Sequence, residues 1–409
     1  MQGIKYLNTF LSMVEQTNIP ELRFTEFDGD WQRKKLGEIS RWYSGGTPSK
    51  KEERYWNGNI PWISASSMRG SEYSDSGLKI TGEGLKSGSR LAKKGSLLML
   101  VRGSMLFNKI PIGIAMKDLA YNQDVKAIEI NTSSTSKFIL YYLNSKENWI
   151  LSIVTGTGIG AGKLDLCDLK EFDVSLPSLP EQQKITSFFT VLDKKITQLK
   201  RKKELLEQYK KGVMQKLLSQ ELRFKDENGE EFPDWEKKKL GDSCDCLDNL
   251  RKPLNAEIRQ KIQGEIPYWG ANNIMDYIND YLFDETIILL AEDGGNFNEF
   301  KTRPIANISH GKCWVNNHTH VLRGKSNLIN EFLYYSLVHK NITEYVSGGT
   351  RAKLTKGEML KIRISIPCLS EQNRVAKFLT FIDKKLDSAS TQIDQSERYK
   401  KGLLQKMFC

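Results

Sequence analysis

The stretch SLPSLPEQQKITSFFTVLDKKITQLKRKKELLEQYKKGVMQKLL, Ser175 to Leu218, decides the fold. It returns as SIPCLSEQNRVAKFLTFIDKKLDSASTQIDQSERYKKGLLQKM, Ser365 to Met407, on a constant offset of 190 residues. Pro177 meets Pro367, Glu181-Gln182 meet Glu371-Gln372, LDKK from Leu192 meets IDKK from Ile382, and YKKG from Tyr209 meets YKKG from Tyr399. Each copy opens on Pro180 or Ser370 with acidic residues in the first turn, and neither Gly nor Pro follows until Gly212 and Gly402. That pattern predicts two long helices.

Their apolar residues follow a 4-3 spacing. The first copy reads Ile185, Phe189, Leu192, Ile196, Leu199, Lys203, Leu206, Lys210, Val213 and Leu217. The second reads Val375, Leu379, Ile382, Leu386, Ala389, Ile393, Ser396, Lys400, Leu403 and Met407. Eight apolar positions of ten in each copy make a coiled-coil seam rather than a surface stripe. The seams share length and phase, so each is the natural partner of the other within the chain. At about 1.5 Å per residue a helix of this kind is about 57 Å long, a ruler between whatever it carries.

Outward from the helices the repeat continues. Leu22-Arg23-Phe24 returns as Leu222-Arg223-Phe224, each followed by a tryptophan, Trp31 or Trp235, and by KKLG at Lys34 and Lys238. IPWISAS from Ile60 answers IPYWGAN from Ile266. LLML before Arg102 answers IILL before Glu292, and YNQDVKAI from Tyr121 answers VNNHTHVL from Val315. The chain is therefore two copies of one unit, each a divergent block followed by a closely repeated helix. The divergent blocks alternate short apolar runs such as SLLMLV, DVKAIEI, TIILLA and THVLR with Gly, Ser, Asn and Pro clusters, and include helix-like FILYYLNSK and EFLYYSLVHK. They read as α+β domains. The expected division is an N-terminal segment over 1–21, a domain over 22–179, a helix over 180–220, a domain over 221–369 and a helix over 370–409. Antiparallel helices with the domains at opposite ends, about a pseudo-twofold axis, are the simplest arrangement.

At 409 residues the chain is long enough for two or three domains with cores of their own, so disulfide staples are unnecessary. Its six cysteines form no CxxC, and reduced thiols are expected. No apolar run approaches the roughly 18 residues of a membrane span, and the start has no signal-peptide pattern, which points to a cytoplasmic protein. Sixty-one Lys and Arg against fifty Asp and Glu leave a net charge of +11, which suits a polyanionic partner such as nucleic acid. The cations from Lys194 to Lys216 read first as a solvated helix face.

Catalytic signatures fail one by one. TGTGIGAGK, Thr155 to Lys163, lacks the first glycine of a phosphate loop and the Ser or Thr after its lysine, and it misses the dinucleotide spacing. With its counterpart SGGTRAKL from Ser347 it reads as a backbone-exposing loop carrying Lys163, or Arg351 and Lys353. That loop suits a phosphate contact or a plain domain cap. His318 and His320 have Asp124 and Lys126 at the matching places of the first copy, so no metal site is expected. Glu292 and Asp293 in AEDGG read as a turn. Neither an Asn-Pro-Pro-aromatic tetrapeptide nor a glycine motif for a methyl donor occurs, and the chain is expected to catalyse nothing. Base-reading and phosphate-holding residue types are present at Arg102, Lys109, Asn122, Gln123, Arg303, Lys312, Asn316, Asn317 and His318. Asn122 and Asn316 stand out because the repeat places them at one position in both copies.

The twin LRF…W…KKLG starts, the Gly-rich loops, SLPSLPEQQKI and SIPCLSEQNRV, and the helices ending in YKKG…QK resemble the specificity subunit of type I restriction-modification enzymes over essentially the whole chain. The resemblance implies two target-recognition domains, each reading one half of a bipartite DNA sequence. It also implies helices that set the gap and dock two methylation subunits, with a motor and nuclease subunit joining that core. Methyl donor and ATP would then be bound by the partner subunits and no cofactor by this chain. The seam residues Ile185, Phe189, Leu192, Ile196, Leu199, Leu206, Val375, Leu379, Ile382, Leu386, Ile393 and Leu403 would carry helix pairing and docking. The segment before Leu22, with its weakly apolar LNTFLSMV, departs from the pattern. The rival readings are a coiled-coil adaptor that does not bind DNA, and a metal-dependent nuclease using His310, His318, His320 and Cys313.

Overall fold

Fully apolar strands flanked by turn residues build the centre of each copy. In the computed structural model, which describes residues 19–131, 133–158, 160–348 and 352–409, Leu97–Leu100 and Ile287–Ala291 are buried along their whole length. The N-terminal segment expected over 1–21 lies outside the described residues up to residue 18. The chain forms two compact units, one of residues 1–199 with 392–409 and the other of residues 200–391. Each unit thus holds part of both long helices.

In the first unit a five-stranded sheet runs in the order Ser40–Ser44, Val125–Ile130, Leu97–Leu100, Ile112–Ala115, Glu72–Tyr73. Beside it stands a four-stranded sheet whose central strands, Trp56–Ile63 and Leu119–Tyr121, are parallel. The second unit repeats the plan with one strand fewer. Cys244–Cys246, Thr319–Gly324, Ile287–Ala291 and Ala306–Ser309 form an antiparallel sheet. Gln263–Trp269 runs parallel to Lys312–Val315 in its companion. Helices Ser136–Ser145 and Asn330–Leu337, the two expected from sequence, cover the main sheets.

The repeated motifs meet in space. In the first unit Gln32–Lys35 pairs with Asp173–Leu176, immediately before the first long helix, Leu179–Leu218. Glu181, in that helix's first turn and 1% exposed, accepts from Arg23 Nε at 2.8 Å and Nη2 at 2.7 Å and from Trp31 Nε1 at 3.3 Å. In the second unit Glu236–Lys239 pairs with Arg363–Ile366 ahead of the second long helix, Leu369–Met407. Glu371, fully buried, accepts from Arg223 Nε at 3.1 Å and Nη2 at 2.7 Å and from Trp235 Nε1 at 2.9 Å. Gln182 and Gln372, also fully buried, donate to the Pro177 and Pro367 carbonyls and fix the helix start. A buried carboxylate is tolerable only when its oxygens are satisfied, and this is why the arginine, the tryptophan and the Glu-Gln pair recur together.

All twenty positions of the two 4-3 registers are buried or half-buried. In the first unit Ile185 and Phe189 share one core with Leu403, Leu404, Met407 and Phe408. In the second, Met214 and Leu217 share a core with Val375, Ala376, Leu379 and Ile382. The pairing is antiparallel within each unit, start of one helix against end of the other. A cation-carboxylate pair crosses it at matching places, Lys400 to Asp193 in the first unit and Lys210 to Asp383 in the second, both at 2.5 Å. Each lysine also lies 5.5 Å from the ring centre of a tyrosine, Tyr141 or Tyr335, whose hydroxyl donates to the same aspartate. Gly212 and Gly402 do not end the helices, which run on for another five or six residues. Among the described residues no helix is long and apolar enough to cross a membrane.

Candidate nucleic-acid interface

The Gly-rich loop of the first unit is the outer edge of a small three-stranded sheet, Thr155–Gly156, Gly162–Lys163 and Arg102–Gly103. Lys163 faces Thr155 on one side and Arg102 on the other. Glycine is required here on two counts. A Cβ on Gly162 would lie 2.9 Å from both Leu106 and Val154, and Gly103 holds φ at +151°. The sheet walls a cleft of about 540 Å³ lined by Arg102, Gln123, Lys126, Thr157 and Lys163 and also by Asp124 and Asp165. Both aspartates are engaged locally: Asp124 accepts from the Asn122 amide at 3.1 Å, and Asp165 caps the short helix Leu166–Lys170. Burial holds the Lys126 ammonium below its ordinary range, against the pull of Asp124.

Three residues singled out from sequence, Arg102, Gln123 and Lys163, therefore line one concavity, and all three are exposed. Thr47 Oγ1 donates to Gln123 Oε1 at 2.7 Å and orients its amide. Lys109 is exposed on the turn after the short helix Ser104–Phe107 and does not line the cleft. Lys126 was not anticipated. Its signal was its position, three residues beyond exposed Gln123 and at a half-buried place on the strand Val125–Ile130.

Asn122 and Asn316 require a correction. They are 7% and 4% exposed, and each Oδ1 accepts the backbone N–H two residues on, from Asp124 at 3.2 Å and from His318 at 2.8 Å. The repeat preserves them because both hold the same turn, not because they face a base. Their exposed neighbours Gln123 and Asn317 are what that turn presents.

In the second unit Ser347, Lys353 and Asp293 occupy the places of Thr155, Lys163 and Arg102, with Lys353 bridging to both of the others. Arg351 lies outside the described residues. Lys353 Nζ stands 3.4 Å from Glu292 Oε1, and Arg251 donates to Glu292 Oε2 at 2.7 Å. AEDGG is thus more than the turn read from sequence: Glu292 is the hub of a charge network. His318 lies half-exposed beside Asp293 at 3.6 Å. Lys312 covers the Tyr281 ring at 4.5 Å, and exposed Arg303 pairs with Glu299 one turn away.

His320 is buried, its Nε2 donating to the Leu354 carbonyl at 2.8 Å and its Nδ1 lying 2.6 Å from Asp248 Oδ2. Among the described residues the grouping with metal-ligand spacing is Cys246, Asp248 and His320, not the His310, His318, His320 and Cys313 set of the nuclease reading. It fits a metal poorly, because both imidazole nitrogens are engaged and Arg251 already stands 3.4 Å from the Asp248 carboxylate. Burial would raise the Asp248 carboxyl, but hydrogen bonds from His320 and the Val321 amide, with Arg251 nearby, hold it below its ordinary value.

A duplicated α+β domain, each copy packed on an antiparallel pair of helix segments, with a polar loop-lined cleft in the first copy and a charge network in its place in the second, defines a two-module architecture. The model of the type I restriction modification DNA specificity domain matches this chain twice, over residues 28–208 and 233–398, and the chain belongs to that family. Among its relatives, the Haemophilus influenzae protein S.HindORF215P is 42% identical over 142 residues, 35% of this chain and 36% of that one. The specificity subunit of the Escherichia coli type I enzyme EcoR124I/EcoR124II is 35% identical over 175 residues, 42% of each chain. The match thus spans well under half the length of either relative. The MjaIX specificity subunit of Methanocaldococcus jannaschii is 27% identical over 429 residues, 96% of both chains. The crystal structure of a type I restriction-modification S subunit from M. genitalium shares the fold, with a TM-score of 0.63 at 18% identity over 96% of this chain and 99% of that one.

Proposed function

We propose that each domain reads one half of a split DNA target, the first over residues 22–179 and the second over 221–369, and that the helices over 180–220 and 370–409 fix the gap. Two methylation subunits dock on those helices and flip an adenine from each half-site for methylation at its exocyclic amine. A motor and nuclease subunit completes the complex, with methyl donor and ATP held by the partners. The observation that carries this reading is that the scaffold contacts repeat residue for residue while the clefts do not. Glu181 and Glu371 take the same arginine-tryptophan pair, whereas Arg102 is answered by Asp293. Identical ends suit identical partners, and different clefts suit different base sequences.

On the helices, exposed Val191 and Tyr399 in the first unit are matched at the 190-residue offset by Phe381 and Tyr209 in the second. These are the docking residues we assign to the methylation subunits, since large apolar side chains left in water at two equivalent places mark two equivalent contacts. Arg102, Gln123, Lys126 and Lys163 contact DNA in the first domain, and Arg303, Lys312, Asn317 and His318 in the second, where Lys353 is instead paired with Glu292. Helices of 40 and 39 residues span about 60 Å each, enough to separate half-sites lying one duplex turn, about 34 Å, apart. Mapping methylated adenines at base resolution, in the host and in a host lacking only this chain, tests the reading. A split motif should lose methylation on deletion, and an unchanged map with active methylation subunits would refute it.

A further inference from the structure

Arg102 and Lys163 are direct cross-strand partners, both exposed, and among the described residues neither forms an ion pair. Like charges placed opposite one another on adjacent strands destabilise a sheet, so the pair opposes folding unless an anion lies between them. The second unit keeps the pairing only as isolated bridges, Ser347 and Asp293 each to Lys353, and has the opposite solution. Leu164 N–H donates to the Val101 carbonyl at 2.9 Å, and Leu354 N–H donates to the Glu292 carbonyl at 2.7 Å. That register puts Glu292 and Asp293 where the first unit has Val101 and Arg102. Lys353 there meets a carboxylate supplied by its own fold.

We infer that Arg102 and Lys163 form an anion site for a DNA phosphodiester, and that among the described residues the first unit alone supplies anchoring charge at this position of the repeat. The inference rests on the DNA-recognition reading and adds an asymmetry to it: the two domains share a scaffold but grip the backbone unequally. Lys126, with Nζ on Ser44 Oγ at 2.8 Å, and exposed Gln123 complete the cleft beside the pair.

The test is the salt dependence of binding by the full chain to a random-sequence duplex. Each phosphate neutralised adds about 0.9 to the slope of log affinity against log salt. Replacing both cations (Arg102→Gln with Lys163→Gln) should lower that slope by about 0.9 to 1.8. Lys353→Gln should leave it unchanged, and the charge-preserving exchange Arg102→Lys with Lys163→Arg should restore it. Glu292→Val with Asp293→Arg should raise it by about 0.9 by building a second site. An unchanged slope in the double Gln variant, or an equal fall in Lys353→Gln, would overturn the inference while the DNA reading stood. Binding of inorganic phosphate at this pair with no change in duplex slope would make it a site for free phosphate and overturn it too. A wild-type chain with no salt-dependent duplex affinity would remove the DNA reading itself and the inference with it. Loss of a like-charge pair should leave the melting temperature of the double variant level or slightly raised, which separates lost binding from lost folding.

Discussion

The two units solve one structural problem identically and one chemical problem in opposite ways. Where each domain joins its helix, Arg23, Trp31 and Glu181 superimpose in role on Arg223, Trp235 and Glu371. At the strand edge beside the loop, the cation pair Arg102 and Lys163 of the first unit corresponds in the second to Asp293 and Lys353, the latter neutralised by Glu292. The difference separates what duplication had to keep from what it was free to change. A buried carboxylate cannot lose its partners without a large cost, whereas an exposed strand edge tolerates a change of sign.

The scaffold half of that comparison breaks first under truncation of the buried acids. Glu371→Ala leaves the Arg223 guanidinium, 21% exposed, without its carboxylate and should cost about 3–5 kcal/mol. Glu181→Ala should cost the same within error, both read by denaturant unfolding. A loss in one unit only would show that the joints are not equivalent. Packing at the helix ends should differ instead. Phe408 meets the rings of Trp31, Phe138, Tyr142 and Phe189 at centroid distances of 5.4–6.4 Å. Its counterpart Leu218 borders a cleft of about 620 Å³ with Met214 and Tyr335. Phe408→Ala should destabilise by about 3–5 kcal/mol, whereas Leu218→Ala, beside space already open, should cost less, about 2 kcal/mol.

A smaller effect is expected at Asp248, which has no charged equivalent in the first unit. Its native carboxyl stays ionised where the unfolded chain would take a proton, so its contribution is complete above about pH 4 and is lost as pH falls through the lower native value. Asp248→Asn should cost about 2 kcal/mol at pH 7 and flatten the acid limb of the stability profile below pH 4. The smallest effects belong to the half-exposed pairs. Lys210→Met and Lys400→Met should each change stability by about 0.2–1 kcal/mol, and equally.

Much of this architecture was legible in the sequence because a seam and a repeat leave periodic marks. The long helices, their pairing and the two α+β blocks follow from the spacing of Ile185 to Leu217 and Val375 to Met407 and from the recurring strand-like runs. The meaning of LRF…W and of Glu-Gln was not legible, since the contact joins residues some 150 positions apart. At the cleft, sequence located Arg102, Gln123 and Lys163 without showing that they share a concavity, because strand register is set by pairing and not by composition. Asn122 and Asn316 misled because repetition in both copies marks structural need as readily as function. Glu292 was hidden for the opposite reason, as a turn-like AEDGG conceals the arginine, lysine and histidine that converge on it.

The central claim, one half-site per domain, is tested most directly by exchanging residues 22–176 for the corresponding block of a relative of known target and mapping methylated adenines in the host genome. The account predicts a new motif in which one half is altered while the other half and the gap are retained. Alteration of both halves, or of the gap, would contradict it.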